Sequence, residues 1–283
     1  MFVARTLAEL GGAARYGDLV AQGATQSVLK RARQAGIITH PLYGTYALPS
    51  ASRGVILAAA YRARLTCVSA CDEVGLPLLT RTGAVHLVVP RDRARRADDR
   101  RPTKAVVLHR DDELWERAGD HSVATAIDAA GACIDRLGQL ALCDAALRLG
   151  LVSRDDLLAF SATSKEQLRW LVEHADPRAH AITETYLRIR LVEAGFSVVP
   201  QFEVGPNHHC DFLVEGCVAI EVDGKGTHLN EGAFQDDRAR DRAVIRRGFV
   251  PLRYTFDDIF GRWPADIVAD VRAAKLIATS GSR

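Results

Sequence analysis

The sequence predicts a multidomain α+β protein, and three observations support this class. Its 283 residues exceed the usual size of one domain, so two or three domains are expected. Residues 1–48 alternate short helices with turns and end in a hairpin, whereas residues 177–283 alternate helices with strands rich in Val and Ile. The predicted domains therefore span residues 1–50, 51–176 and 177–283.

The composition excludes two broad classes of protein. Hydrophobic residues make up 48% and charged residues 25% of the chain, which is typical of globular proteins and excludes a largely disordered one. No apolar stretch approaches the ~18–20 residues that a membrane span requires, and Arg5 and Glu9 interrupt the segment where a signal peptide would be apolar. We therefore expect a soluble cytoplasmic protein without a membrane partner. The net charge of +2 gives no indication of nucleic-acid binding, so local clusters of charge must carry that argument.

The six cysteines form no CxxC pair, and a chain of this length can bury a core without disulfides. His208, His209 and Cys210 are potential zinc ligands. A zinc site needs a second ligand pair at suitable spacing, however, and the sequence shows no obvious one. Buried thiols are therefore the favoured interpretation of the cysteines.

The first domain begins with three predicted helices and ends in two short strands. Glycines stop the helices, and Thr25 stands at the N-cap of the third one. That helix exposes side chains able to contact phosphates and base edges, namely Gln26, Lys30, Arg31 and Arg33. A charged solvent face is the alternative, but three basic residues on one short helix in a helix-turn-helix frame favour DNA binding. The predicted strands, 37–40 and 44–48, complete a winged helix-turn-helix domain.

Residues 11–48 resemble the winged-helix domain at the start of AbiEi-type antitoxins and related regulators. This resemblance implies a DNA-binding N-terminal domain, and the order of elements in residues 51–176 is similar to the linker region that follows it in those proteins. This α/β middle region has predicted strands at 84–90 and 105–109, with a solvated loop of six arginines and three aspartates at 91–101. The middle region shows no set of residues typical of a catalytic site, so we interpret it as a scaffold.

The third domain carries the predicted chemistry. Its elements are expected in the order helix, three strands, helix, strand and helix, which is the core order of the restriction-endonuclease-like α/β/α fold. The predicted helices span 180–194, 233–247 and 264–277, and the predicted strands span 196–204, 210–214, 218–223 and 249–254.

Two carboxylates, Asp211 and Glu221, lie on neighbouring predicted strands joined by a turn that contains Gly216. A two-residue loop would place them on opposite faces of the sheet. A three-residue loop instead pairs Val214 with Val218 and sets the carboxylates across from each other, with Cβ atoms roughly 5 Å apart. That separation suits the binding of one cation. We predict the three-residue loop, with Gly216 in the left-handed conformation.

Asp223 falls on the same face as Glu221 because side chains alternate along a strand. Three carboxylates packed without a cation would repel one another, and their pKa values would have to rise. Mg²⁺ or Mn²⁺ supplies the counter-charge, since both are hard ions that prefer oxygen ligands. The alternative is that Asp211 and Glu221 face solvent at a sheet edge, but apolar neighbours such as Phe212 and Ile220 are typical of buried central strands.

Residues on neighbouring elements extend the candidate catalytic set. Glu184 lies on the preceding helix, where an ion pair with Arg188 four residues later is the alternative to a role in the site. After the acidic strand, Lys225 can stabilise charge that develops on the phosphate. His228 can accept a proton near neutral pH.

Two arginines are further candidates for DNA contact. Arg240 on the next predicted helix and Arg253 on the last strand can form a cationic pair near a phosphate. Ion pairing with Asp237 is the alternative for these side chains.

Residues 182–256 resemble bacterial endonuclease-like domains related to very-short-patch-repair nucleases, in the PD-(D/E)XK superfamily. The residues that carry the resemblance are Glu184, Gln201, Asp211, the run Ile220-Glu221-Val222-Asp223-Gly224, His228, the run Asp237-Arg238-Ala239-Arg240-Asp241, and Leu252-Arg253. The resemblance implies metal-dependent hydrolysis of a DNA phosphodiester, with Glu184, Asp211 and Glu221 around the ion.

The chain departs from the superfamily pattern at one position. The pattern has lysine two residues after the second acidic residue, whereas this chain has Asp223. Lys225 or His228 would have to replace that lysine; if neither does, the domain binds DNA without cutting it.

The leading hypothesis is a DNA endonuclease that acts in repair or in defence against foreign DNA. The alternatives are a non-cleaving transcriptional regulator and an antitoxin that holds a toxin partner through residues 51–176. Cutting both strands with one active site would require a homodimer or two encounters.

Overall fold

The structure is a computed structural model that describes residues 2–81, 83–93, 105–118, 122–205, 208–223, 241–261 and 266–280. These residues form a mixed α/β protein with small sheets, as the sequence predicts at this level. The chain divides into two compact units. Unit 1 comprises Met1–Asp135 and Val152–Leu168, and unit 2 comprises Arg136–Leu151 and Arg169–Arg283. The three-domain division is finer than this and stays a prediction.

The N-terminal part of unit 1 contains three helices around a three-stranded antiparallel sheet with strand order β1-β3-β2. As predicted, the Thr25 side chain caps the third helix, accepting the backbone N–H of Val28 at 3.4 Å. Leu7, Leu19 and Leu29 are fully buried between the helices. The elements are α1 (Phe2–Glu9), β1 (Ala13–Arg15), α2 (Tyr16–Ala21), α3 (Gln26–Gln34), β2 (Thr39–Leu42) and β3 (Thr45–Ala47).

Strand β1 in this region was not predicted from the sequence. Ala13 pairs with Ala47 of β3, so the hairpin becomes part of a three-stranded sheet. β1 has only three residues, and two of them are alanines. Such a short segment shows no alternation of apolar and polar residues that would distinguish a strand from a turn.

The rest of unit 1 packs helices against a second three-stranded sheet. This sheet has the order β4-β5-β6, and its β5–β6 pair is parallel. The elements are α4 (Arg53–Tyr61), β4 (Arg64–Leu65), α5 (Cys67–Glu73), β5 (Val85–Val89), β6 (Val106–Arg110), α6 (Asp112–Arg117) and α7 (Val123–Ala130). After α8 (Arg136–Arg148), which belongs to unit 2, come α9 (Arg154–Leu158) in unit 1 and α10 (Lys165–His174), which begins in unit 1 and continues into unit 2.

Unit 2 contains a four-stranded sheet with strand order β10-β9-β8-β7. The β7–β8 and β8–β9 pairs are antiparallel, whereas β10 pairs parallel to β9. The elements are α11 (Ile182–Glu193), β7 (Val198–Gly205), β8 (His208–Val214), β9 (Val218–Asp223), α12 (241–246), β10 (Val250–Thr255), α13 (Phe256–Phe260) and α14 (Ile267–Ser280). The described part of this unit follows the predicted order, with the short helix α13 as an addition.

The core of unit 2 lies between the sheet and two helices. Phe212 and Ile220 from the central strands pack in one apolar cluster with Leu187 of α11 and Ile267 and Val271 of α14. Burying such side chains contributes about 1.5–3 kcal/mol each, so this cluster fixes the sheet against the helices. β8 and β9, the strands that bear Asp211 and Glu221, therefore pack against a dense apolar core.

A buried ion pair joins α8 to α11. The Arg188 guanidinium lies 2.9 Å from the Asp144 carboxylate, and the two side chains are 8% and 1% exposed. The same carboxylate accepts hydrogen bonds from the Thr185 hydroxyl and the Asp176 backbone N–H, both at 2.8 Å. Arg188 therefore pairs with Asp144, and the alternative of an ion pair with Glu184 is not the arrangement found.

The register of the β8–β9 hairpin is the predicted one. Val214 pairs with Val218, and the intervening loop has three residues. Gly216 has a φ of +67°, and Glu215 also has a positive φ, of +54°. The Cys217 N–H donates to the Val214 carbonyl at 3.1 Å and closes the turn. Gly216 thus supplies the left-handed residue that this loop requires.

No helix in the described ranges is long and apolar enough to span a membrane.

Candidate active site

Asp211 lies on β8, the strand between β7 and β9. The register of the hairpin, continued by one residue beyond the Phe212–Ile220 pair, places Asp211 opposite Glu221. Its carboxylate reaches β9 and accepts the backbone N–H of Val222 at 2.6 Å. Such a short bond to a backbone donor fixes the orientation of the carboxylate.

Glu184 lies in the first turn of α11 and is 5% exposed. Its Oε2 atom accepts the backbone N–H of His180 at 2.9 Å and the side-chain amide of Gln201 at 3.2 Å. The same Gln201 amide nitrogen lies 3.5 Å from Oδ1 of Asp211. Gln201 therefore links the buried Glu184 of the helix to the half-buried Asp211 of the sheet.

The backbone at Gln201 is unusual for a residue inside a strand. Gln201 has a φ of +52°, and the ladder pairs Pro200 with Phe212 and Phe202 with Cys210 on either side of it. A non-glycine residue in this conformation costs about 1–3 kcal/mol and persists where surrounding contacts require it. Here those contacts are the hydrogen bonds to Glu184 and Asp211.

Both linked carboxyl groups have raised pKa values. Burial, with a smaller contribution from the charge of Asp211, raises the pKa of Glu184 to about 7, although the His180 N–H opposes the shift. Burial also raises the pKa of Asp211, and the charge of Asp223 adds to this, whereas the Val222 N–H and Gln201 oppose it. The site therefore disfavours its own negative charge.

Glu221 has a protein cation as its neighbour. Its carboxylate lies 2.9 Å from the Arg253 guanidinium, and both side chains are about one-fifth exposed, at 20% and 22%. Arg253 also contacts Asp241 at 3.1 Å. Arg253 is thus ion-paired with Glu221 and Asp241, whereas Asp237, the partner considered from the sequence, lies outside the described residues. The parallel ladder explains this, because it places Arg253 directly beside Glu221.

The structure brings four of the predicted acidic residues to one end of the sheet: Glu184, Asp211, Glu221 and Asp223. Among the described residues, no three of their carboxylate oxygens all lie within 4.8 Å of one another. A cation at this site would therefore have to draw the carboxylates closer. Lys225, His228 and Arg240 lie outside the described residues.

The predicted DNA-binding side chains of α3 are on the surface of unit 1. Gln26, Lys30, Arg31 and Arg33 are all exposed, whereas Leu29 of the same helix is buried in the core. Tyr43, at the turn between β2 and β3, is 91% exposed. An aromatic side chain projecting from a hairpin tip was not predicted as a contact residue, although its place between Leu42 and Gly44 in the sequence marks the turn.

Gln201 and His180 are the site residues that the sequence analysis did not assign. Gln201 is among the residues that carry the resemblance to the endonuclease-like domains. Its positive φ and its position between two acidic side chains, however, depend on tertiary contacts. His180 acts through its backbone N–H, for which no side-chain signal exists.

Comparison of the sequence with protein-family models gives no match, and comparison with curated proteins gives no significant match.

Proposed function

We propose that the protein is a metal-dependent DNA endonuclease that hydrolyses phosphodiester bonds with Mg²⁺ or Mn²⁺. One observation carries this proposal above the others. The buried Glu184 carboxyl group and the half-buried Asp211 carboxyl group are held 3.2 and 3.5 Å from the same Gln201 amide, with Asp223 close enough to raise the pKa of Asp211. Acidic groups gathered at the end of a buried sheet need a counter-charge, and a hard divalent cation supplies it.

The residues have separable roles in this proposal. Glu184, Asp211 and Glu221 would hold the cation, which, when bound, activates water and neutralises charge on the phosphate. Gln201 positions the first two carboxylates, and Arg253 orients Glu221 from the neighbouring strand. Lys225 and His228 remain the sequence-based candidates for charge stabilisation and for accepting the proton.

The arrangement of α1, β1, α2, α3, β2 and β3 supports a winged-helix assignment for the N-terminal part of unit 1. In that assignment α3 enters the major groove with Lys30, Arg31 and Arg33, and the β2–β3 hairpin is the wing. Exposed basic residues at this place would position the protein on duplex DNA through phosphate contacts.

The proposal is tested by incubating the protein with supercoiled plasmid and with single-stranded DNA in EDTA, Mg²⁺ and Mn²⁺. We expect cleavage that requires the metal and falls at least about 100-fold in Asp211→Ala, because loss of a ligand costs more than loss of an outer partner. Glu193→Ala is the matched control, since Glu193 is an exposed acid of the same unit that pairs only with a surface arginine in the described contacts. Cleavage unchanged in Asp211→Ala would contradict the assignment.

The ratio of nicked to linear plasmid reports whether one or both strands are cut, and a concentration-dependent linear product would indicate a homodimer.

DNA binding by α3 gives a second expected result. The double variant Lys30→Ala/Arg33→Ala should bind duplex DNA more weakly at all sequences and reduce the slope of log affinity against log salt by about 1.8. The double variant Arg5→Ala/Arg81→Ala removes the same charge from exposed ion pairs elsewhere in unit 1 and should retain the slope. Equal slopes for the two double variants would show that α3 does not contact DNA.

A non-cleaving regulator or antitoxin is the second candidate function. Two observations favour it: Asp223 stands where the superfamily has lysine, and Glu221 is already neutralised by Arg253. Metal-independent DNA binding without cleavage in the plasmid experiment would support this candidate, and a toxin partner would then be expected.

A further inference from the structure

Four potential metal ligands converge in unit 1, far along the sequence from the carboxylate site. Cys67 begins α5, His86 lies in β5, His109 lies in β6 and Cys133 follows α7. Their donor atoms all lie within 4.8 Å of one another. Within the described residues, this is the group of His, Cys, Asp or Glu side chains close enough together to hold an ion.

The separations between the donor atoms match a tetrahedral site. Nδ1 of His86 lies 3.2 Å from Nε2 of His109, and Sγ of Cys133 lies 3.9 Å from the same Nε2. Zinc bonds of about 2.0–2.1 Å to nitrogen and about 2.3 Å to sulfur give tetrahedral edges of about 3.3–3.8 Å. Only small movements would therefore bring these atoms into coordination.

The backbone holds the ligands in place before any ion binds. His86 and His109 are on adjacent parallel strands, where Val88 pairs with His109 and His86 with Val107, so both rings project from one face of the sheet. The His86 N–H donates to the Ser69 hydroxyl at 2.9 Å, and its carbonyl accepts the N–H of Thr66 at 3.2 Å. These bonds connect β5 to the segment that carries Cys67.

The surroundings of the four side chains also suit a metal. Cys67 is 0% exposed and His86 is 5% exposed, whereas Cys133 is exposed and leaves an entry route for the ion. Cys67 has a φ of +56°, a strained conformation kept at the position where the thiol enters the cluster.

We propose that Cys67, His86, His109 and Cys133 bind one Zn²⁺ ion in a closed, structural site. Two thiols and two imidazoles are soft and borderline ligands that favour zinc over Mg²⁺ or Mn²⁺, and four protein ligands leave no open position for catalysis. Binding releases the two thiol protons to solvent. The ion would join α5, β5, β6 and the end of α7, and this proposal does not depend on nuclease activity.

The test uses untagged full-length protein purified with a reductant and without chelator. Elemental analysis after dialysis should find one zinc per chain. After the zinc is removed, titration with Co²⁺ should give the intense visible bands of a tetrahedral site and a thiolate-to-cobalt charge-transfer band. Cys133→Ser and His109→Gln should each weaken Co²⁺ binding at least about tenfold. Cys71→Ala is the matched control, because Cys71 is a buried thiol on the same helix as Cys67 and lies outside the cluster.

Three results would overturn the proposal. One is reduced wild-type protein that binds neither zinc nor cobalt. Another is metal content equal in wild type, Cys133→Ser and His109→Gln, which would place the ion elsewhere. The third is a disulfide-linked Cys67–Cys133 peptide in freshly isolated protein, combined with no metal binding after reduction. This result would show that the two cysteines form a dithiol–disulfide pair and do not bind a metal. Because Cys133 is exposed, its variant is expected to fold, so loss of metal in it reports ligation.

Discussion

Replacing Arg188 with Met should destabilise unit 2 by about 3–5 kcal/mol, because it leaves the Asp144 carboxylate buried without its cation. The Asp144 side chain is 1% exposed, and the Arg188 guanidinium 2.9 Å away is its charge partner. Methionine keeps most of the arginine stem, so the effect measures loss of charge and hydrogen bonding more than loss of packing.

The loss of stability caused by Arg188→Met should increase as the pH rises. Burial already raises the pKa of Asp144, and Arg188 opposes this shift, so the variant should have a still higher pKa at Asp144. A carboxyl group with a raised pKa contributes stability below its unfolded pKa and loses it as the pH rises through the folded one. The destabilisation should therefore be larger at pH 8 than at pH 5.

Urea unfolding of the full chain at both pH values measures this effect. Arg136→Met is the control, since the Arg136–Glu193 pair is exposed, with side chains 53% and 46% accessible. We expect that control to lose about 1 kcal/mol or less. Equal losses for Arg188→Met and Arg136→Met would show that the Asp144 pair does not stabilise the unit.

Glu184→Gln should stabilise the protein at pH 8 in buffer stripped of divalent cations, by up to about 3 kcal/mol. Burial raises the pKa of Glu184 from 4.5 to about 7, and each pKa unit corresponds to about 1.4 kcal/mol. The wild type keeps this group protonated at low pH and loses stability as the pH rises from 4.5 through 7. Glutamine keeps the oxygen that accepts from His180 and Gln201 and never acquires the charge.

The measurement compares urea midpoints of wild type and Glu184→Gln from pH 4 to pH 8. The two curves should coincide near pH 4 and separate as the pH rises. Glu193→Gln, at an exposed acid of the same helix, should follow the wild type throughout. Parallel curves for wild type and Glu184→Gln would mean that Glu184 titrates at an ordinary pKa.

Local patterns predicted much of the fold because they depend on neighbouring residues. The cap at Thr25 and the three-residue loop with Gly216 follow from the chemistry of a few adjacent positions, and both are found. Strand β1 and helix α13 were missed because a strand of three residues and a helix of five residues carry too few positions for a periodic signal.

The candidate site was predictable in its residue types but only partly in its contacts. The register of β8 against β9 was predictable because hairpin register follows from loop length. The Arg253–Glu221 pair depends on the parallel β9–β10 ladder, whose register no local turn specifies. Gln201 holds both acids only because a strained residue in β7 is stabilised by tertiary contacts.

The cysteines show even more clearly that contacts between distant segments could not be predicted from the sequence. The sequence favoured buried thiols because no ligand pair at zinc-finger spacing was visible. The structure assembles Cys67 and Cys133 with two histidines from four separate elements, so neither thiol has a ligand partner nearby in the sequence. Such a set can be found only once the β5–β6 pairing is known.

We propose above all that the carboxylates at the end of the unit 2 sheet bind a divalent cation. Titration with Mn²⁺, followed by the loss of the free-ion paramagnetic resonance signal at pH 8, tests it most directly. We predict one strong site in the wild type, weakened at least about tenfold in Asp211→Asn and unchanged in Cys133→Ser. Mn²⁺ binding that is equally strong in wild type and Asp211→Asn, or absent from both, would contradict the claim.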